Sequence, residues 1–421
     1  MDTLMNCNIY NNDQSAIISE QIIEPMYGTD YTQEDALELH AYLFPASLAL
    51  DGPTQNLLGQ CHAYIIAILG TPIRPDYRRQ LLWVALARGA KATTAIEGNT
   101  LSDAEVEAIQ AGKSLPVSKE YLEKEVKNIL VAFNLILNEL IRDKSEELIS
   151  PDLIRRFHRL VGEGLGDAFV AEPGSFRRKN VVVGNYRPPS FEEVPALVDN
   201  LCAWLDREFH FRAGQSFEDA MIEAIVAHIY IEWIHPFGDG NGRTGRLLEF
   251  YILMRAGVPN VASHLLSNYY NETREDYYRK IEEATATDDL SLFIAYAALG
   301  LRDGLKDIFE RIQEGLFRIV WENYIHDRVG SLRVKGRNDA TIRRLRLLAL
   351  AMPIEKDAAM GEVANLSAKV AKEYATKSRP TISRDLSVLL ELGLIVKSDA
   401  GYRANIDTLR SLAPVSTGRI G

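Results

Sequence analysis

The chain has 421 residues, of which 47% are hydrophobic, 25% charged and 9% aromatic, the balance of a soluble globular protein with room for two or three packed domains. Its first residues, MDTLMNCNIYNNDQ, hold no apolar signal core, and runs such as Tyr64–Gly70 fall short of the roughly 20 residues of a membrane helix, so a cytoplasmic protein without a membrane segment is expected. The net charge of −11 argues against wholesale nucleic-acid binding, yet residues 326–410 carry sixteen Lys/Arg against ten Asp/Glu, a basic module on an acidic body.

Helical periodicity dominates from the start. Leu81, Leu82, Ala85 and Leu86 recur at three- and four-residue steps in a helix over 78–98 that ends at Gly98. Ser102 and Glu105 form a capping-box start, a further helix runs over 122–141, and Ser150-Pro151-Asp152 opens another. The exception is the stretch 174–194, where 179–183 reads as a strand, Gly184-Asn185 as a turn and Pro188-Pro189 as its end, giving a β-hairpin flap. Ser216 then caps a helix with Met221, Ile222, Ile225, Val226 and Ile229 on its core face, broken at His235-Pro236; the next runs from Arg243 to Gly257. Residues 330–339 are the linker candidate, followed by helices over 341–351, 360–374 and 381–392 and two short strands about Asp399-Ala400-Gly401. Cys7, Cys61 and Cys202 lie far apart without CxxC spacing, which favours buried free thiols over disulfides or zinc.

The chemistry concentrates in HPFGDGNGRTGR, His235 to Arg246. Gly238, Gly240 and Gly242 let successive N–H groups turn toward one anion at the start of a helix. Arg243 and Arg246, three apart, are suited to clamp phosphate oxygens. Asp239 is a hard oxygen ligand for Mg²⁺, and His235 is the side chain there that takes a proton near neutral pH. Phe237 is expected to anchor the loop in the core, and His158 and His228 read as structural histidines.

This stretch resembles the Fic-family loop HxFx[DE]GNGRxxR at every fixed position. The resemblance implies a mainly α fold: a Fic helical core with a β-hairpin flap over 111–326, an N-terminal helical segment over 1–110 with an inhibitory helix, and a C-terminal winged helix-turn-helix domain over 327–421. It implies a protein adenylyltransferase that moves AMP from ATP to Ser/Thr/Tyr hydroxyls. His235 would be the catalytic base and Asp239 the Mg²⁺ ligand. Gly240, Asn241, Gly242, Arg243, Thr244, Gly245 and Arg246 would bind ATP, Arg243 at the β-phosphate and Arg246 at the γ-phosphate. Val183, Gly184, Asn185 and Tyr186 of the flap would border the nucleotide and register a protein substrate, and Tyr277 and Tyr278 would lie by the adenine.

Thr93, Glu97 and Gly98 in ATTAIEGN match the family's inhibitory pattern [ST]xxxE[GN]. Glu97 would there pair with Arg246 in place of the γ-phosphate. The segment 378–405 resembles a recognition helix and wing, with Thr381, Ser383, Arg384, Lys397 and Arg403 facing DNA and Ile382, Leu386, Leu389 and Leu390 the core. DNA and protein docking stay open for this module, as do self-modification and a homodimer. The alternatives for the whole chain are a DNA-binding regulator with a Fic-like nucleotide-sensing domain, and an enzyme that both transfers and removes AMP.

Overall fold

The computed structural model describes residues 48–143, 148–184, 186–209, 216–287, 289–334 and 336–410. Cys7 and Asn185 lie outside the described residues. The chain divides into two compact units, one ending at Glu310 and one beginning at Arg311. The divide falls inside a continuous helix; residues 331–333 of the glycine-bearing stretch 330–339 form a 3₁₀ turn.

The first unit is helical. Asp51 accepts from Thr54 N to start α1 (Gly52–Gly70), and α2 (Pro75–Ala95) ends in a turn through Gly98 (φ 98°). The expected capping box of Ser102 and Glu105 opens α3 (Asp103–Gln110). Next come α4 (Glu120–Leu137), extended by a π-helical turn over Asn138–Asp143, and α5 (Pro151–Gly162), capped by Ser150. Then follow α6 (Val194–Phe209), α7 (Phe217–Ile234), α8 (Asn241–Arg255), α9 (Leu265–Glu272), α10 (Arg274–Thr287) and α11 (Leu290–Gly330), which crosses the divide.

Every residue of α8 is buried, charged ones included. A helix buried on all sides must be central, and α7, α5, α4 and α2 surround this one. Its charges are met inside: Arg255 pairs with Glu223 of α7 at 2.6 Å, and Tyr270 donates to Glu249 at 3.0 Å. The functional loop joins these two central helices, so a rigid core fixes both of its ends.

The expected flap strand over 179–183 does not form. The stretch is irregular, with one isolated antiparallel bridge, Val183 to Tyr186, about the left-handed Gly184 (φ 58°). A strand needs neighbours for its backbone groups; here the Lys179 carbonyl accepts from the Arg177 side chain, and the Asn180 side chain accepts from Phe191 N.

The second unit holds the end of α11, then α12 (Asp339–Ala351), α13 (Ala368–Tyr374), α14 (Arg379–Glu391), a hairpin of β1 (Ile395–Lys397) and β2 (Tyr402–Ala404), and α15 (Asp407–Arg410). The helix expected over 360–374 starts only at Ala368, after a 3₁₀ turn, because Ser367 caps it by accepting from Val370 N. β1 and β2 pair antiparallel with Val396 opposite Arg403, and Ala358 bridges to Tyr402. Trp321, Leu345, Leu348, Val370, Leu386, Leu389 and Ile395 build its core. Asp385 is buried there, accepting from Arg344 at 2.6 Å and from Tyr374 at 2.8 Å.

Cys61 and Cys202 are buried free thiols, each pushed up to about 12 by burial. Among the described residues no helix is long and apolar enough to cross a membrane.

Candidate active loop between the two central helices

α7 stops at Ile234 because His235 turns left-handed, at φ 48° and ψ 59°; no other described non-glycine residue has positive φ. Phe237 is fully buried, its ring stacked 3.7 Å from that of His158, as an anchor requires. Asn241 closes the loop with both ends of its amide: Oδ1 accepts from Phe237 N and Nδ2 donates to Phe237 O, each at 2.9 Å. Gly240 is the left-handed N-cap of α8 (φ 79°), a position where a Cβ would be strained and would meet the Phe169 ring at 3.0 Å. Two residues earlier than the sequence pattern suggests, at Asn241, α8 begins, and the N–H groups of its first turn are those with no intrahelical acceptor. The loop therefore presents a helix N-terminus, the partial positive charge that attracts phosphate.

The two arginines diverge. Arg246 donates to the carboxylate of Glu97, to Thr93 Oγ1 at 2.8 Å and to Thr93 O at 3.0 Å. Burial opposes charge on Glu97, but the Arg246 and Arg243 guanidiniums outweigh it and hold the carboxyl below its ordinary range. Arg243 donates instead to Glu125 of α4 and, at 2.7 Å, to Asp239. Burial pushes the Glu125 carboxyl up despite Arg243 beside it, while Asn99 donates to its other oxygen at 3.0 Å. Gly242 leaves the space in which these groups meet: a Cβ there would run into Glu97 Oε1 and lie 2.8 Å from Arg246 Nη1 and 3.0 Å from Glu232 Oε1.

Other expected site residues fall into place around this centre. Thr244 is fully buried, its hydroxyl donating to Gly240 O at 2.8 Å, and Gly245 lies against His228 of α7. Tyr277 is buried behind Arg246, with its hydroxyl 2.8 Å from His228 Nε2 and 3.5 Å from Arg246 Nη1. Tyr278 is only partly buried and donates to Ile96 O at 3.2 Å, beside Glu97 in the chain. His228 is a core histidine, as read from sequence.

Three residues at the loop escaped the sequence reading. Neither Glu125 nor Arg177 falls in a motif of the sequence. His158 was read as structural but not as a loop ligand: its Nδ1 accepts from Gly174 N and its Nε2 reaches Asp239 O, both at 2.9 Å.

Residues 148–253, which contain the loop, match the model of the Fic/DOC family. The chain carries a Fic domain. A protein named protein adenylyltransferase fic-1 from Caenorhabditis elegans is 36% identical over 207 residues, 49% of this chain and 38% of the relative. Protein adenylyltransferase Fic from Nematostella vectensis is 34% identical over 207 residues, 49% of this chain and 44% of the relative. This chain thus spans less than half the length of these curated relatives. The crystal structure of a Fic family protein from Desulfovibrio desulfuricans superposes with a TM-score of 0.51 at 20% identity, covering 85% of this chain and 97% of that one. At that identity the likeness is one of fold, and it agrees with the helical arrangement around the Fic loop.

Proposed function

We propose that this chain transfers AMP from ATP to hydroxyls of proteins, and that Glu97 holds the activity in check. The observation that carries this reading is the pairing of Arg246 with Glu97 over the open N-terminus of α8. It has a cradle for phosphate, an arginine aimed at an anion and a carboxylate in the anion's place. The relatives' name, protein adenylyltransferase, points to the same reaction.

In this reading His235 takes the proton from the target hydroxyl, whose oxygen bonds to the α-phosphorus. The bond to the bridging oxygen breaks, and pyrophosphate leaves with its electron pair. The N–H groups at the start of α8 stabilise the charge that builds on the phosphate oxygens. Arg246 exchanges Glu97 for the γ-phosphate. Of the tyrosine pair, Tyr278 borders the nucleotide and Tyr277 braces Arg246 from behind.

Asp239 suits Mg²⁺ as one ligand among phosphate and water oxygens, the usual way this ion is held beside a nucleotide. Among the described residues no group of three His, Cys, Asp or Glu is placed to hold a metal ion. When bound, the ion would neutralise phosphate charge beside Asp239, whose Oδ1 accepts from Arg243 at 2.7 Å. The test is transfer of label from α-labelled ATP to protein by the full chain, Glu97→Gly and Glu97→Gly/His235→Ala. Label in the second and its loss in the third support the reading; no label in any of them sinks it.

A second activity is favoured by the C-terminal unit, which we read as a winged helix. A groove of about 830 Å³ lies between α14 and the β1–β2 turn, lined by Arg379, Arg384, Lys397, Ser383 and Ser387 among others. Cations from a helix and a hairpin facing one groove suit a phosphate backbone. Anisotropy with a labelled duplex across a salt series tests it: Arg384→Ala should weaken binding and lower the salt slope by about 1. No salt-dependent binding by the native chain would leave protein docking.

A further inference from the structure

Arg177 is a buried cation whose role the transfer reading leaves open; it is 7% exposed. Arginine is almost never that buried without partners, and among its partners here are backbone carbonyls of particular residues. Nε donates to His235 O at 2.8 Å, Nη1 to Lys179 O at 3.1 Å, and Nη2 to Pro189 O. Its own backbone N donates to Pro236 O at 2.9 Å. One residue therefore ties both ends of the 179–189 stretch to His235 and Pro236. A second tie runs in parallel, since the Tyr186 hydroxyl donates to Trp233 O at 2.8 Å, in the last turn of α7.

Both ties end on carbonyls at the C-terminus of α7, the groups a helix leaves without intrahelical partners. They also bracket the residue that most needs support. A left-handed conformation is unfavourable for an L-residue with a Cβ, and it persists only where the surroundings over-determine it. Donors on the carbonyls of Trp233, His235 and Pro236 do that for His235, and the direction of its imidazole follows from its backbone.

We propose that Arg177 is a positioning residue for His235: its three-way clip locks the left-handed turn and couples the flap to the catalytic histidine. The proposal rests on the transfer reading for its kinetics but not for its geometry. A lysine keeps the charge, but as a point donor it cannot reproduce the fork.

The full chain carrying Glu97→Gly is the parent for the test, compared with Arg177→Ala, Arg177→Lys and Tyr186→Phe. Both Arg177 variants should lower kcat for AMP transfer by about 10²-fold, the scale of a small misplacement of a catalytic group. KM for ATP should stay at the parent's value. Tyr186→Phe should lower kcat in the same direction and by less. In parallel, NMR of ¹⁵N-histidine-labelled protein, with His235 assigned through His235→Ala, should show the His235 ring signals displaced in Arg177→Lys and those of His228 unmoved. If Arg177→Ala fails to fold, Arg177→Lys carries both measurements. Parent kcat with an unmoved His235 signal in Arg177→Lys overturns the proposal. If the parent transfers no AMP, the transfer reading fails and the NMR comparison alone decides on Arg177.

Discussion

The guanidinium of Arg246 joins Glu97, a residue 149 positions earlier in the chain, and in the same grip holds the hydroxyl and carbonyl of Thr93. Thr93 lies in the last turn of α2 and Glu97 just beyond it, so the last residue of the loop stretch, in the first turns of α8, pins the end of α2. The pair is deep: Arg246 is 1% exposed and Glu97 21%.

That relationship predicts activation on losing the carboxylate. Glu97→Gly leaves Arg246 its two Thr93 contacts, so the helix end stays in place while the site opens to a γ-phosphate. Transfer of label from α-labelled ATP should rise at least about tenfold, equivalent to about 1.4 kcal/mol. Arg246→Ala should give no rise, because it removes the phosphate clamp together with the brake's anchor. Equal labelling of the native chain and Glu97→Gly would remove the brake from the mechanism.

A second prediction concerns the other arginine. Arg243 is enclosed by Glu125 and Asp239, with its guanidinium also 5.5 Å from the Phe169 ring. Removing one member of a buried pair strands the other's charge at a cost of about 3–5 kcal/mol. Glu125→Ala should approach the lower figure, since Asp239 remains, and Glu125→Gln should cost less because it can still accept from Arg243. Urea denaturation of the two variants checks the order; an alanine variant as stable as the native chain would mean that Asp239 alone satisfies Arg243.

The loop was legible in the sequence because its conformation resides in residue types at fixed spacing: a glycine, Gly240, that takes the left-handed cap, an asparagine that braces the turn, and a phenylalanine that anchors it. Glu97 was legible for a similar reason, as part of a short pattern. Glu125 and Arg177 were not, since each acts through a tertiary partner that periodicity does not encode. The flap strand was misread for the same cause. Valines at 181–183 favour a strand, but the stretch finds no partner strand beyond the single bridge of Val183 to Tyr186, and a short run without a ladder stays irregular. Tyr277 and Tyr278 show the limit of adjacency: neighbours on α10 point to different surroundings, one behind Arg246 and one toward Ile96.

The third prediction tests the cap of α8. Gly240→Ala puts a Cβ on a residue at φ 79° and 3.0 Å from the Phe169 ring. The left-handed strain alone should cost roughly 1–2 kcal/mol, read as a lower urea midpoint. Because the same residue shapes the phosphate cradle, AMP transfer should fall in parallel. An unchanged midpoint would show that the loop adopts another turn.

The fourth prediction is a pH dependence written into His158. Its ring is fully buried, with Nδ1 accepting from Gly174 N, so the proton is on Nε2, which donates to Asp239 O. Burial, with a lesser contribution from Arg243, lowers its pKa from 6.5 to about 4. The unfolded chain therefore takes up this proton first as pH falls. Stability should be unaffected above about 6.5, decline as pH drops toward 4, and level off below that, when both states are protonated. Between pH 7 and pH 5 the loss from this one group is about 2 kcal/mol. His264, lowered to about 3 by burial, pulls in the same direction, so replacing His158 should flatten the slope without abolishing it. Urea midpoints of the native chain and His158→Gln at both pH values give the comparison. The variant should be less stable at pH 7, having lost a hydrogen bond and the stack on Phe237, yet should lose less on acidification. Parallel slopes for the two proteins would mean that His158 binds its proton as readily in the fold as outside it.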